Sequence, residues 1–302
     1  MNNFISLADL PDLKETLALA KSLKKDPFAF EQHAKRKTLG LLFFNPSLRT
    51  RLSTQKAAQN LGFNTMIMNF SNEAWALEFE DGTKMRGIRS EHVREAAAVV
   101  SQYCDMVAIR AFASLTDKEQ DEAEIVLNSF AQYASIPVIN MESATGHPLQ
   151  ALADAVTLSE HPTPHKPKVV LTWAPHPKAL PHAVGNSFAQ MMQAQDADFV
   201  ITNPEGYDLD PRITKNVPVL HNQEEALKNA DFVYAKNWCS YENYGSIVPT
   251  DNAWMLTTEK MELTNNAKFM HCLPVRRNIV VADGVLDHPN SLVIEQANNR
   301  TF

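Results

Sequence analysis

The chain runs to 302 residues, 44% hydrophobic and 21% charged, with a formal net charge of −7 and an isoelectric point near 5.8. Single hydrophobic cores stop growing at roughly 250–300 residues, so this length predicts about two domains. The acidic balance argues against nucleic acid or an anionic membrane as partner, since both need a net basic face, but it leaves room for a small anion in a local basic pocket.

In chain order, the pattern predicts a helix near 8–23, a short buried strand at Leu39–Phe44 and a helix near 50–61. A strand at Thr65–Phe70 and a helix near 91–103 follow, then a strand at Met106–Arg110, a helix near 117–133 and a strand at Pro137–Asn140. A helix near 148–159 leads into a Pro- and His-rich stretch, HPTPHKPK. Beyond it stand strands at Lys168–Thr172 and Ala197–Thr202 with a helix near 180–194 between them. A helix near 223–229 and strands at Ala230–Ala235, Lys268–Leu273 and Ser291–Ile294 complete the series. Strands alternating with helices predict an α/β fold of two lobes, each a mainly parallel sheet flanked by helices. The lobes are expected at 1–147 and 148–302, joined by the helix at 148–159, which opens on a proline as helices often do. Two such lobes leave a cleft, and the active site is expected there, beside the strand C-termini. The last residues, VIEQANNRTF, read as a helix just beginning, which is how a trimmed chain would end.

Cys104, Cys239 and Cys272 are far apart, odd in number and form no CxxC. That argues against a disulfide framework or a zinc site and predicts a cytoplasmic protein. The opening MNNFISLADLPDLKETL has early acids and no long apolar core, so no signal peptide is expected. No apolar run is long enough to predict a membrane span.

Four short stretches carry chemistry. In FFNPSLRTRLST a strand gives way to a turn at Asn45-Pro46, and a helix follows. Ser47 can cap that helix, whose free N–H groups and positive dipole end favour an anion, and Arg49 adds a planar two-pronged donor suited to phosphate. A capped surface helix with exposed arginines would look the same. There is no GxxxxGK[ST], so this is not a nucleotide P-loop. Arg110 ends the apolar strand MVAIR, where a charge must reach water or meet an anion. MESATGHPLQ brings Glu142, His147 and Gln150 to a helix start, where a neutral His can donate to a carbonyl oxygen and Gln can donate and accept. A helix-entry loop with a satisfied histidine is the plainer alternative. FMHCLPVRRN ends a strand in His271-Cys272-Leu273-Pro274, with Arg276 and Arg277 after it. Alone, Cys272 could be a small buried apolar residue and the arginines merely solvated.

Together, in this order and spacing, these motifs resemble the aspartate/ornithine carbamoyltransferase family over nearly the full chain. In that family a Ser-Thr-Arg-Thr turn binds the phosphate of carbamoyl phosphate; here it reads Ser47-Leu48-Arg49-Thr50, so a backbone contact from Leu48 would replace one side-chain contact. Arg110 matches the strand-end arginine that bridges phosphate and carbamoyl oxygen. The HPxQ match puts His147 and Gln150 on the carbamoyl group, and His-Cys-Leu-Pro matches the ornithine-type signature. No Ser-Met-Gly motif of the plain ornithine enzymes is present. TWAPHPKALPHAVGNSF, YAKNWCSYENYG and HCLPVRRN instead resemble the acyl-ornithine branch, which carbamoylates N-acetyl- or N-succinylornithine. The resemblance implies a homotrimer in which Trp75 reaches a neighbouring subunit's site. It also implies carbamoyl phosphate contacts from Cys272, Leu273 and Arg300, the C-terminal segment returning toward the first lobe. Acyl-ornithine contacts would come from Glu142, His176, Lys236 and Arg276.

Succinyl adds a carboxylate that acetyl lacks, so a succinyl site should avoid acids and supply cations. Acetyl-using relatives carry a Glu before the helix after EH and a Lys shortly after RRN; by the same resemblance Ser90 and Val280 take those places here. Ser90 repels no second carboxylate, which favours N-succinylornithine in arginine biosynthesis over N-acetylornithine, with plain ornithine behind both. Ser90 could equally be the N-cap of a helix starting at Glu91. In the implied reaction the unprotonated δ-amine attacks the carbamoyl carbon and phosphate leaves. Arg110, His147 and Thr50 stabilise the oxyanion, and Cys272 stands beside the amine. No metal or organic cofactor is implied.

Overall fold

Every strand in the two main sheets runs parallel to its neighbours, so each candidate residue that follows a strand falls at the same end of its sheet. The structure is a computed structural model that describes residues 3–248 and 254–302. Contacts divide it into two units, one of residues up to Ser114 with Lys118–Leu149 and Arg300–Phe302, the other of Leu115–Asp117 with Gln150–Asn299.

In the first unit a 3-10 turn at Leu7–Asp9 precedes α1 (Leu13–Lys25), β1 (Thr38–Phe43), α2 (Leu48–Asn60) and β2 (Asn64–Asn69). Then come β3 (Leu77–Glu78), β4 (Glu91–His92), α3 (Val93–Tyr103), β5 (Met106–Arg110), α4 (Lys118–Glu122), α5 (Ile125–Tyr133) and β6 (Val138–Glu142). The sheet order is β2-β1-β5-β6, and β3 and β4 form a separate pair. The order reverses direction between β1 and β5, where Phe43 and Arg110 are partners, and this is where parallel α/β sheets bind ligands. Leu42, Val107 and Ile109 face Phe130 and Val93 on one side. Leu41, Phe43 and Ala108 face Ala58 and Met141 on the other. Alternation of this kind is what a strand covered on both faces requires.

The second unit contains most of α6 (Pro148–Glu160), then β7 (Lys168–Trp173), α7 (Ala183–Met192), β8 (Asp198–Thr202), α8 (Pro211–Thr214), β9 (Val219–Leu220) and α9 (Gln223–Leu227). It continues with β10 (Phe232–Lys236), α10 (Thr258–Met261), β11 (Lys268–Met270), α11 (Asp283–Leu286) and α12 (Val293–Asn299). Its sheet order is β11-β10-β7-β8-β9, reversing between β7 and β10, where Trp173 and Lys236 are partners.

Three expected elements differ. Ser291–Ile294 is not a strand: a single bridge joins Ser291 to Phe269, and Val293 opens α12. Buried Leu292 and Val293 made the run apolar, and short apolar runs do not distinguish strand from buried helix. The helix expected over 117–133 breaks at Glu124, whose φ of 50° is left-handed. Its carboxylate accepts bonds from the Ser143 and Thr145 hydroxyls and from the Ala144 and Thr145 N–H groups, holding the turn that precedes His147. The N-terminal helix starts only at Leu13, behind Pro11 and an Asp12 cap.

The helix that bears Ser47 at its start ends in a Schellman motif, with Phe63 N–H on the Ala58 carbonyl and Gly62 N–H on that of Gln59. Gly62 sits at φ +86°, and an added Cβ would collide with the Glu31 carbonyl oxygen. Gly62→Ala should lower unfolding stability by about 1–3 kcal/mol in urea melts; an unchanged midpoint would count against the crowding.

Candidate active site

At the end of β1 the chain turns through Asn45-Pro46 into α2. Ser47 is extended (φ −153°, ψ 130°), and its Oγ accepts the Thr50 N–H at 3.3 Å. A capped first turn leaves the remaining N–H groups at its start without intrahelical acceptors. Arg49 and Arg51 are two residues apart, which on a helix sends them to different sides. Arg49 is half-buried and Arg51 exposed. Thr50 is buried, and its Oγ1 accepts from Arg300 Nη2 at 2.8 Å. A hydroxyl that accepts from a guanidinium still has its own proton to donate. Leu48 is 68% exposed and borders a cavity of about 360 Å³ with Pro46, Ser47, Arg51 and Leu52.

Arg110 is only 8% exposed, yet it carries a full charge. Its Nε donates to Glu142 Oε2 at 3.0 Å, and its Nη1 to the carbonyls of Asn45 and Pro46 at 3.1 and 3.0 Å. The guanidinium also lies 4.9 Å from the centre of the Phe112 ring. Nη2 has no acceptor among the described residues. The register between β5 and β6 slips after Ile109, so that Arg110 pairs with Glu142 rather than Met141. That slip delivers the carboxylate to the guanidinium. His147 Nε2 stands 3.6 Å from the same Glu142 oxygen. These contacts account for all of Arg110's charge compensation by groups from β6 and the β1–α2 turn.

In the second unit Gln150 donates through Nε2 to Asp154 Oδ1 at 2.7 Å. His271, Cys272 and Leu273 follow β11, and Leu273 N–H donates to His271 Nδ1 at 2.8 Å. Leu273 itself has a left-handed φ of 54°. Lys236 is buried at the end of β10, and its Nζ donates to the Asn237 carbonyl at 2.8 Å. Arg276 Nε donates to His176 Nε2 at 3.2 Å. Nε2 is therefore an acceptor, and Nδ1 faces the Lys178 backbone, 2.8 Å from its carbonyl oxygen and 3.1 Å from its amide nitrogen. Burial holds the His176 imidazole below its ordinary value; the Lys178 carbonyl opposes this, while Lys236, Arg276 and Lys178 add to it. Arg277, by contrast, is bound by Asp283 at the start of α11 and Asp287 just after its end. Of the paired arginines, only Arg276 joins the cluster.

One alternative at the margin needs correction. Ser90 does not cap a helix at Glu91: Glu91–His92 is a strand, and His92 caps α3 by accepting the Arg94 N–H. Ser90 is exposed, and its N–H donates to the Ala76 carbonyl. Val280 is buried in the core with Val233, Leu256 and Phe269, and Ile279 is the exposed neighbour. Trp75 is 57% exposed, with its indole N–H on Glu91 Oε2 at 2.7 Å.

Asp154, Tyr234 and Gln296 join these groups without a motif of their own, and Asn45, a turn residue in the sequence, accepts from Arg110 and the Phe112 N–H. Asp154 follows Gln150 by one helical turn, and that spacing was a usable signal. Gln296 had none, because its partners come from distant segments. Among the described residues no group of three or more His, Cys, Asp or Glu side chains is placed to hold a metal, and no helix is long and apolar enough to cross a membrane.

Comparison with known proteins matches this arrangement to two family descriptions. Residues 2–160 fit the aspartate/ornithine carbamoyltransferase carbamoyl-P binding domain, and 182–302 fit the corresponding Asp/Orn binding domain. An N-succinylornithine carbamoyltransferase of Bacteroides thetaiotaomicron is 50% identical over 302 residues, covering 99% of this chain and 95% of the relative. An N-acetylornithine carbamoyltransferase of Xanthomonas campestris is 38% identical, covering 96% and 91%. Among solved structures, an N-acetyl-L-ornithine transcarbamylase with one glutamate replaced by alanine, complexed with carbamyl phosphate and N-succinyl-L-norvaline, superposes with a TM-score of 0.94 at 37% identity, covering 100% of this chain and 97% of that one. The chain therefore belongs to the aspartate/ornithine carbamoyltransferase family, and within it to the N-acyl-ornithine branch.

The depressed basicity of His176 is measurable. By NMR its imidazole should titrate below the ordinary histidine value of about 6.5. The folded state then binds the proton less well than the unfolded chain. The contribution to stability is complete above about pH 6.5 and is lost as the pH falls through the lowered value. Arg276→Gln should move the midpoint up; a midpoint at or above the ordinary value in the intact protein would contradict the geometry.

Proposed function

We propose that this protein transfers the carbamoyl group of carbamoyl phosphate to the δ-amine of N-succinyl-L-ornithine, giving N-succinyl-L-citrulline and phosphate in arginine biosynthesis. The observation that carries the acceptor is the identity gap: 50% to the N-succinylornithine carbamoyltransferase and 38% to the N-acetylornithine one. Ser90 supports it physically, since a small neutral side chain in an exposed stretch offers no repulsion to a second carboxylate. A glutamate-to-serine form of the N-acetyl-L-ornithine transcarbamylase is among those complexed with N-succinyl-L-norvaline, which fits this reasoning. Val280, a core residue, adds nothing to the choice. The acetyl acceptor is the second reading, favoured by the acetylornithine transcarbamylases at TM-scores up to 0.94.

Ser47, Arg49, the Leu48 N–H and the start of α2 hold the phosphate as its charge grows. Arg110, fixed on three sides, directs Nη2 at the carbamoyl oxygen with His147 and Thr50, so its donors need no rearrangement when the oxyanion forms. Gln150 takes the carbamoyl amide. Arg300 supports Thr50 and reaches the same ligand. Glu142, His176, Lys236 and Arg276 bind the acyl-ornithine, whose carboxylates suit the Lys236 and Arg276 cations. The Cys272 and Leu273 carbonyls orient the attacking amine, and Cys272 forms no covalent bond. The transfer is direct and calls for neither metal nor organic cofactor. The working unit is a cytoplasmic homotrimer in which Trp75 enters a neighbour's site. Exposed Leu48, Leu52, Met66 and Met68 in the same unit supply apolar surface for such an interface.

With carbamoyl phosphate, phosphate release should be fastest with N-succinylornithine, measured against N-acetylornithine, ornithine and aspartate. Faster turnover with the acetyl compound would reverse the acceptor assignment. Ser90→Glu should shift the ratio toward acetyl, and an unchanged ratio would remove Ser90 from the acyl site. Arg49→Ala should weaken carbamoyl phosphate binding by about 1.5–3 kcal/mol in calorimetry, the size of a hydrogen bond to a charged group.

A further inference from the structure

We propose that Asp154 is a positioning residue for the transfer. It fixes the Gln150 amide with its oxygen toward the carbamoyl group and, through Gln296, ties that amide to the His271–Leu273 turn. The inference rests on the reading that Gln150 meets the carbamoyl amide.

Asp154 is 0% exposed, one helical turn beyond Gln150 on α6. One of its oxygens, Oδ1, receives two N–H donors, Gln150 Nε2 and Gln296 Nε2, each at 2.7 Å. A glutamine amide can face either way, and its neighbours decide which. Flipping Gln150 would set its Oε1 against a carboxylate oxygen and lose a charge-assisted bond. Gln296 is fixed separately, because its Oε1 accepts the His271 N–H at 2.9 Å and leaves only its Nε2 for Asp154. His271 in turn accepts the Leu273 N–H through Nδ1, closing the turn that bears Cys272. The Tyr234 hydroxyl is buried beside both Asp154 and Cys272.

The consequence falls on the other end of Gln150. The residue is 1% exposed, and its Oε1 is a buried acceptor with no hydrogen-bond partner among the described residues. Buried acceptors are seldom left so. The carbamoyl group of the substrate carries an NH₂, a donor of the kind this acceptor lacks. A flipped amide would present a second donor instead and meet that NH₂ with a clash of hydrogens. Asp154 thus selects the productive orientation without touching the substrate.

A double-mutant cycle on kcat/KM for carbamoyl phosphate separates this from a structural role. Asp154→Leu should lower it by about ten-fold or more, while Asp154→Asn, which keeps Oδ1, should stay within about three-fold. In a Gln150→Leu background, Asp154→Leu should cost less than about two-fold further, because the amide it orients is gone. Full additivity of the two losses, or an undiminished Asp154→Leu, overturns the proposal. If the Leu variant does not fold, Asp154→Ala carries the same cycle. If Gln150→Leu alone changes nothing, it is the reading of Gln150 as a carbamoyl contact that fails.

Discussion

A guanidinium buried at a strand end must be answered by the groups around it, and the first unit is arranged to answer Arg110. The charge draws one carboxylate and two backbone carbonyls, from Glu142, Asn45 and Pro46. Glu142 ends β6, and Asn45 and Pro46 form the turn that follows β1. The arginine therefore joins three strand ends at the point where the sheet order reverses. Removing one partner of such a buried pair typically costs about 3–5 kcal/mol, several times a surface ion pair. An apolar residue at 110 would relieve the burial but would leave the β1–α2 turn without its anchor. Retention of a buried charge here is best understood through what it aims, which is the turn that starts at Ser47.

The second unit meets a related demand differently. Lys236 ends β10 opposite Trp173 and turns its ammonium to the next carbonyl. Burial, with the charges of Lys236, Arg276 and Lys178 nearby, holds the His176 imidazole below its ordinary value. A neutral imidazole can accept from Arg276, and so the histidine orders the guanidinium without adding to the charge. Arg277 is bound instead by Asp283 and Asp287. Two adjacent arginines thus acquire separate partners.

Much of this was legible in the sequence because the site residues cluster at turns whose chemistry is local. Ser47 capping α2, Arg110 at the close of an apolar strand and Pro148 at a helix start all follow from neighbours a few residues away. What was illegible depends on distant partners. Nothing local tells a reader that Gln296 sits against Asp154, or that Val280 rather than Ile279 turns to the core. Ser90 before Glu91 has the look of a cap, but Leu77 and Glu78 pair with Glu91 and His92 and move the helix start by two residues. Ser291–Ile294 is ambiguous for another reason, since a buried helix start and a short strand expose the same apolar pattern.

Glu124 draws a further consequence for how this chain can change. Its neighbours in α4 and α5 suggest a solvent-facing helical position, tolerant of most residues. Its real obligations lie in the Ser143–Gly146 turn, through bonds to Ser143, Ala144 and Thr145, and in a backbone that few side chains accept. Glycine would suit the backbone but hold nothing; aspartate is one methylene shorter; alanine meets neither need. Positions 124, 143 and 145 are therefore coupled through these bonds, and a change at one alone would loosen the turn that leads into His147.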